Sequence, residues 1–202
     1  MSDHKQDCDC ERRNLLIATS AVGGVAVAAA AVPFVASLAP SERAKAIGAP
    51  VIVDIGKLAP GEKTVVKWRG KPVWILRRTP EMLASLKAAE EKLSDPGSEK
   101  SDQPDYTKTP TRAIKDEYLV AIGICTHLGC SPSDKLKTGN AEGMAADWAG
   151  GFLCPCHGSL FDLAGRVFKS QPAPTNLEIP PHRYLSDTSI IIGEDSNDSK
   201  GA

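Results

Sequence analysis

The chain has 202 residues, with 24 Lys+Arg against 25 Asp+Glu, so its net charge is −1. That balance argues against a nucleic-acid-binding protein, which would carry a basic excess. Fifteen Pro and seventeen Gly exclude an all-helical bundle, and six Cys are too few for a disulfide-dense miniprotein.

In chain order, Leu15–Leu38 is a run of 24 residues without a charge. As a helix it would reach roughly 36 Å, enough for a bilayer core. Arg12-Arg13 stands directly before it. A twin-Arg pair ahead of an Ala/Gly-rich apolar run has the form of a twin-arginine export signal. Pro40 follows the candidate cleavage position Ala39, and the run exceeds a cleaved signal's usual apolar stretch. The expectation is a retained anchor over 14–38 behind a cytoplasmic tail over 1–13. Lys5, Arg12 and Arg13 hold the N-terminus inside, which sends the remainder to the oxidising side, the periplasm in a bacterium. Cys8 and Cys10 lack the further ligands that a closed metal site needs, and are read as inert.

Residues 39–49 are small, mixed in charge and bracketed by Pro40 and Pro50. They read as a flexible tether, with a helical extension of the anchor as the competing form. The head, 50–202, opens with a strand over Val51–Ile55 and a turn at Pro60-Gly61. Strands follow over Thr64–Arg69 and Val73–Arg77, joined through Gly70-Lys71-Pro72, with Trp68 and Trp74 as core anchors. Pro80–Leu93 has helical spacing with Pro in its first turn, and is expected to lie on the sheet. Ser94–Pro110 reads as a surface loop, and Tyr118–Ile124 as a buried strand. The polar end, 193–202, reads as frayed. His4 and His182 are read as surface residues without a role.

Two clusters carry chemistry. One is Cys125-Thr126-His127-Leu128-Gly129-Cys130, and the other is Cys154-Pro155-Cys156-His157-Gly158-Ser159. Two Cys and two His suffice for one metal centre. A Cys2His2 zinc site would leave two cysteines over. Plain disulfides would leave both histidines over, and a Cys/His nucleophile pair needs only one of each. A [2Fe–2S] cluster with two thiolate and two imidazole ligands accounts for more of the pattern.

Both motifs closely resemble the signature of the Rieske iron–sulfur proteins of ubiquinol–cytochrome c reductase. The twin-Arg anchor, the tether, the stretch Lys67–Pro72 and the loop Pro172-Ala173-Pro174 match that family's layout. The resemblance implies an all-β, antiparallel head with one surface helix and a small cluster-binding lobe at about 120–175, on a single N-terminal transmembrane helix. It implies that Cys125 and Cys154 bind one iron and His127 and His157 the other, while Cys130 and Cys156 form a disulfide. Leu128 would cover the exposed tip, Ser159 would donate to a bridging sulfide, and Pro172 and Pro174 would close a third side. His157, with His127, would meet ubiquinol. The electron would pass to a c-type cytochrome, beside cytochrome b, in a dimeric complex of the bacterial inner membrane. The family often has Tyr where this chain has Phe161, which removes one donor to the cluster. Gln171 stands where Gly is frequent, and the insert 131–153 is long. A small Rieske subunit of a periplasmic, arsenite-oxidase-like enzyme is the alternative.

Overall fold

The computed structural model describes residues 10–195; His4 and Cys8, like the tail beyond 195, lie outside the described residues. The chain divides into two compact units, 1–46 and 47–202. In the first, α1 (Cys10–Ser37) is a 28-residue helix with every residue exposed and Pro33 near its end. Its apolar window has a mean hydropathy of 2.2, and it is the one helix among the described residues long and apolar enough to cross a membrane. Within the expected tether the chain forms a second short helix, α2 (Glu42–Gly48). Ser41 Oγ accepts from Ala44 N at its start, and Lys45 pairs with Glu42 one turn back.

The second unit is built from three antiparallel sheets of three strands. The first has the order β1 (Val51–Asp54), β9 (Ser189–Ile192), β8 (His182–Ser186). The second has β2 (Lys63–Trp68), β3 (Lys71–Arg77), β4 (Tyr118–Ile122). The third has β5 (Ser133–Lys135), β6 (Gly151–Leu153), β7 (Leu160–Asp162).

The middle sheet explains the uninterrupted apolar runs. Successive side chains of a strand point to opposite faces, so a strand buried on both sides shows no alternation. Val73 and Ile75 of β3, with Val120 and Ile122 of β4, face the first sheet and pack with Val53, Ile190, Ile192 and Trp68. Trp74 and Leu76, with Leu119 and Ala121, face the other way. They share a second core with Phe152, Phe161, Cys125 and Cys154. The register puts Val73 opposite Ile122 and Trp74 opposite Ala121, which keeps the two sets apart. Trp68 and Trp74 are thus core anchors, as expected.

Several expectations are corrected in detail. The β2–β3 turn is the pair Arg69-Gly70, both with positive φ (48° and 79°); Lys71 and Pro72 already belong to β3. That left-handed pair suits a two-residue hairpin. The helix α3 (Pro80–Ala89) stops short of Leu93. A 3-10 turn, Glu90–Lys92, follows, and Leu93 bridges to Phe168 in extended form. The start matches the sequence: Thr79 caps the Met82 amide with Pro80 in the first turn. Residues 94–110 are not simply a surface loop, because Asp95, Ser98 and Thr107 are buried. The Asn176 side chain donates to Asp95 O and Ser98 Oγ, both at 2.9 Å. His182 is only 2% exposed, against the surface position expected for it. Its Nδ1 lies 2.8 Å from Pro180 O, and Tyr106 Oη bonds both its amide and its carbonyl. Burial lowers its pKa, partly offset by the Pro180 carbonyl.

Candidate metal centre

Two turns at one end of the head carry the motifs, and they are built alike. In the first, Cys125 N donates to Cys130 O (2.7 Å) and Gly129 N to Cys125 O (3.1 Å). In the second, Cys154 N donates to Ser159 O (2.8 Å) and Gly158 N to Cys154 O (2.9 Å). Each is a six-residue turn closed by the same two bonds. Each has glycine at its fifth position with positive φ, 85° and 79°, where an L side chain would be strained. The shared Gly is visible in the two motifs, but it could not be read as a geometric repeat before the bonds were known.

The buried strand β4 delivers the first turn and β6 delivers the second. Gly123, between β4 and Cys125, is packed under the Trp74 indole, and a Cβ there would lie 2.1 Å from the ring. Trp74 stacks on Phe152 of β6 with centroids 4.8 Å apart. The Lys63 ammonium sits 4.1 Å from the Trp74 ring and pairs with Asp134 of β5. Through these contacts the middle sheet fixes the entry points of both turns.

The turns are joined by a disulfide between Cys130 and Cys156, with Cα atoms 6.6 Å apart. Cys125 and Cys154 are buried and outside any disulfide. Burial pushes the Cys125 thiol up; the His127 amide lowers it, the neighbouring Cys154 thiol raises it, and the Ser159 hydroxyl lowers it. Cys154 Sγ lies within 4.8 Å of the disulfide sulfurs, which are already bonded and are not free donors. His127 and His157 meet edge to face with ring centroids 4.7 Å apart. The His127 Nδ1 atom is buried with no hydrogen-bond partner among the described residues.

A buried, unpartnered imidazole nitrogen costs free energy unless something coordinates it. With Cys125 and Cys154, buried and outside any disulfide, and His157 against its ring, His127 makes up a candidate Cys2His2 donor set. These donors fit a metal cluster better than they fit a packed core.

The rest of the expected site also converges here. Leu128 is 71% exposed at the tip of the first turn. Ser159 is fully buried, and its Oγ accepts from Ala173 N at 3.1 Å in the Pro172–Pro174 loop. Pro172 and Pro174 are exposed around the buried Ala173. The sequence reading missed two ties. Thr126 Oγ1 donates to Thr175 O at 2.7 Å, which fastens the first turn to the proline loop. Gln171, noted only as a departure, accepts from Leu160 N through its side-chain oxygen at 3.1 Å. Phe161 is fully buried in the core shared with both free thiols.

The chain is similar to known proteins over most of its length. Residues 49–181 match the family described as Rieske [2Fe-2S] domain. Residues 1–41 match the one described as Ubiquitinol-cytochrome C reductase Fe-S subunit TAT signal. The chain is 64% identical over 184 residues to the ubiquinol-cytochrome c reductase iron-sulfur subunit of Allochromatium vinosum, covering 91% of this chain and 88% of that one. It is 42% identical over 186 residues to the subunit of the same name from Blastochloris viridis, covering 92% and 94%. A chain of a hyperthermophilic respiratory Complex III aligns with 27% identity and a TM-score of 0.46, over 86% of this chain and 97% of that one. The arsenite-oxidase-like alternative is not favoured by these relatives. With its twin-arginine leader and a [2Fe–2S] domain spanning the two turns, the chain belongs to the Rieske iron–sulfur subunits of ubiquinol–cytochrome c reductase.

Proposed function

We propose that Cys125 and Cys154 hold the inner iron of the cluster and that His127 and His157 hold the outer one. The observation that carries this reading is the sorting of the four donors. The two thiols outside the disulfide are buried, while His127 is half-buried and His157 exposed. When bound, the cluster supplies a one-electron acceptor, and imidazole in place of thiolate lifts a Rieske potential to about −150 to +300 mV.

The protein's own groups do the remainder. His157 presents its ring to solvent, where a ubiquinol hydroxyl can hydrogen-bond to the ring nitrogen that is not bound to iron. That nitrogen takes the proton when the electron leaves the quinol. The exposed Leu128 supplies apolar surface for docking, and the disulfide and the proline loop tie the two turns together. From the bound cluster that electron would go to a c-type cytochrome, and cytochrome b would take the quinol's other electron.

The head works in the periplasm, on a bacterial inner-membrane anchor with its N-terminus inside, in a dimeric complex. Arg12-Arg13 in the first turn of α1, ahead of its uncharged run, and the disulfide both support that orientation. Segment 39–49 serves as the tether on which the head visits both partners. Replacing it with a run of prolines is expected to slow turnover and leave the cluster spectrum intact; full turnover would refute head movement.

The decisive test is electron paramagnetic resonance on detergent-extracted protein. A rhombic signal of low average g after ascorbate supports the reading. A signal only after dithionite would refute quinol oxidation, and silence from intact, metal-loaded protein would refute the ligand set.

A further inference from the structure

Behind the second turn lies a charge cluster that the proposed mechanism does not use. Arg78, Arg112 and Arg166 are each at most 2% exposed, and the most deeply buried carboxylate with them is Asp162. Asp162 is committed to Arg166: Oδ2 accepts from Arg166 Nε at 2.8 Å, and Oδ1 from the Ala164 and Arg166 amides. Arg78 and Arg112 form no ion pair among the described residues. Their guanidiniums are satisfied by neutral acceptors instead. Arg78 donates to the carbonyls of Asp116, Thr111 and Leu163. Arg112 donates to Gln103 Oε1 and to the carbonyls of Ala164, Gly165 and Leu177. Arg78 Nη2 has no partner at all among the described residues.

Burying an uncompensated guanidinium is costly, and structure alone would be served as well by neutral donors. Burial lowers both pKa values to about 10, which leaves both groups charged at neutral pH. Two other carboxylates act on them: Asp95 toward Arg112, itself buried but bonded to the Glu99 and Lys100 amides, and the exposed Asp116 toward Arg78.

The position of this charge matters. Asp162 is register partner to Gly151, three residues along β6 from Cys154. That spacing is about 10 Å at the rise of a strand, and Arg78 and Arg112 bond the carbonyls of Leu163 and Ala164, the residues that follow Asp162. Phe152, Phe161 and Leu163 beside it are all fully buried, in one core with Cys125 and Cys154. Water and salt screen little across such a path.

We propose that Arg78 and Arg112 are a buried positive pair that raises the midpoint potential of the cluster, with Asp162 opposing them. Reduction adds one negative charge to the cluster, and nearby fixed cations favour the state that carries it. The inference rests on the ligand set proposed above. Its failure is separable, because the ligand set is read from the g-values and the charge effect from the midpoint.

The test is a redox titration, followed by electron paramagnetic resonance, of the full-length protein in detergent. Arg78→Gln and Arg112→Gln are each expected to lower the midpoint at unchanged g-values, and the double variant to lower it further. Asp162→Asn is expected to raise it. A purely structural clamp would not produce shifts of opposite sign. Each variant that retains the signal decides the sign by itself, so loss of one to misfolding leaves the others to judge. Unmoved midpoints, or arginine and aspartate variants shifting the same way, would overturn the proposal.

Discussion

Removing the disulfide by the paired change Cys130→Ala and Cys156→Ala has an effect that can be worked from the structure. The bond spans a sequence separation of 26. Closing a loop of about 27 residues removes about 12 cal/mol/K from the unfolded chain, which is about 3.5 kcal/mol at 25 °C. Iron and sulfide leave when the head unfolds, so the disulfide is then the remaining cross-link and its full entropic effect is felt. For a domain of this size each kcal/mol corresponds to about 2–4 °C, so Tm should fall by about 7–14 °C. The assay is circular dichroism melting of the variant and the parent at one scan rate, each checked for cluster content. A fall below about 2 °C would refute the view that the bond stabilises through the unfolded state. It would mean that turn hydrogen bonds and the proline loop already close the loop.

Other changes test the packing and the chemistry. Phe161→Tyr restores the hydroxyl this chain lacks; a differential hydrogen bond of about 1 kcal/mol to sulfur corresponds to a rise of about 40 mV in a redox titration. Gly123→Ala forces a methyl group into the Trp74 indole; overpacking should cost about 1–3 kcal/mol in urea melts, with lower cluster occupancy by iron analysis. His182, whose pKa is lowered by burial, binds its proton more readily in the unfolded chain. Stability should therefore be full above the unfolded value of about 6.5 and fall as pH drops toward the folded value. Urea midpoints at pH 7.5 and 5.5 should converge in His182→Asn relative to the parent; an unchanged gap would exclude His182 as the source.

The candidate donors were legible in the sequence, because ligand chemistry is local. Cys-x-His and Cys-x-Cys-His name their donors, and a 24-residue uncharged run after Arg12-Arg13 names its solvent. The strand pattern was legible too, since Val73–Leu76 and Tyr118–Ile122 are apolar for the plain reason that both faces are covered. Boundaries were less so. The hairpin at Arg69-Gly70 depends on two positive φ angles, and the end of α3 on Leu93 leaving to bridge Phe168.

What tertiary structure alone decided lies in pairs distant along the chain. Nothing adjacent to His182 signals that Tyr106 will close over it, since they are 76 residues apart. Nor does Arg78 announce Leu163, 85 residues on, or Arg112 the carbonyl of Leu177. A charged residue is expected in water until the fold supplies carbonyls to receive it. The sequence by itself determined which atoms could bind the cluster. The tertiary fold determined that the two turns meet, that Cys125 and Cys154 are buried, and that Arg78 and Arg112 leave water, because burial and Coulomb interaction depend on distance in space rather than along the chain.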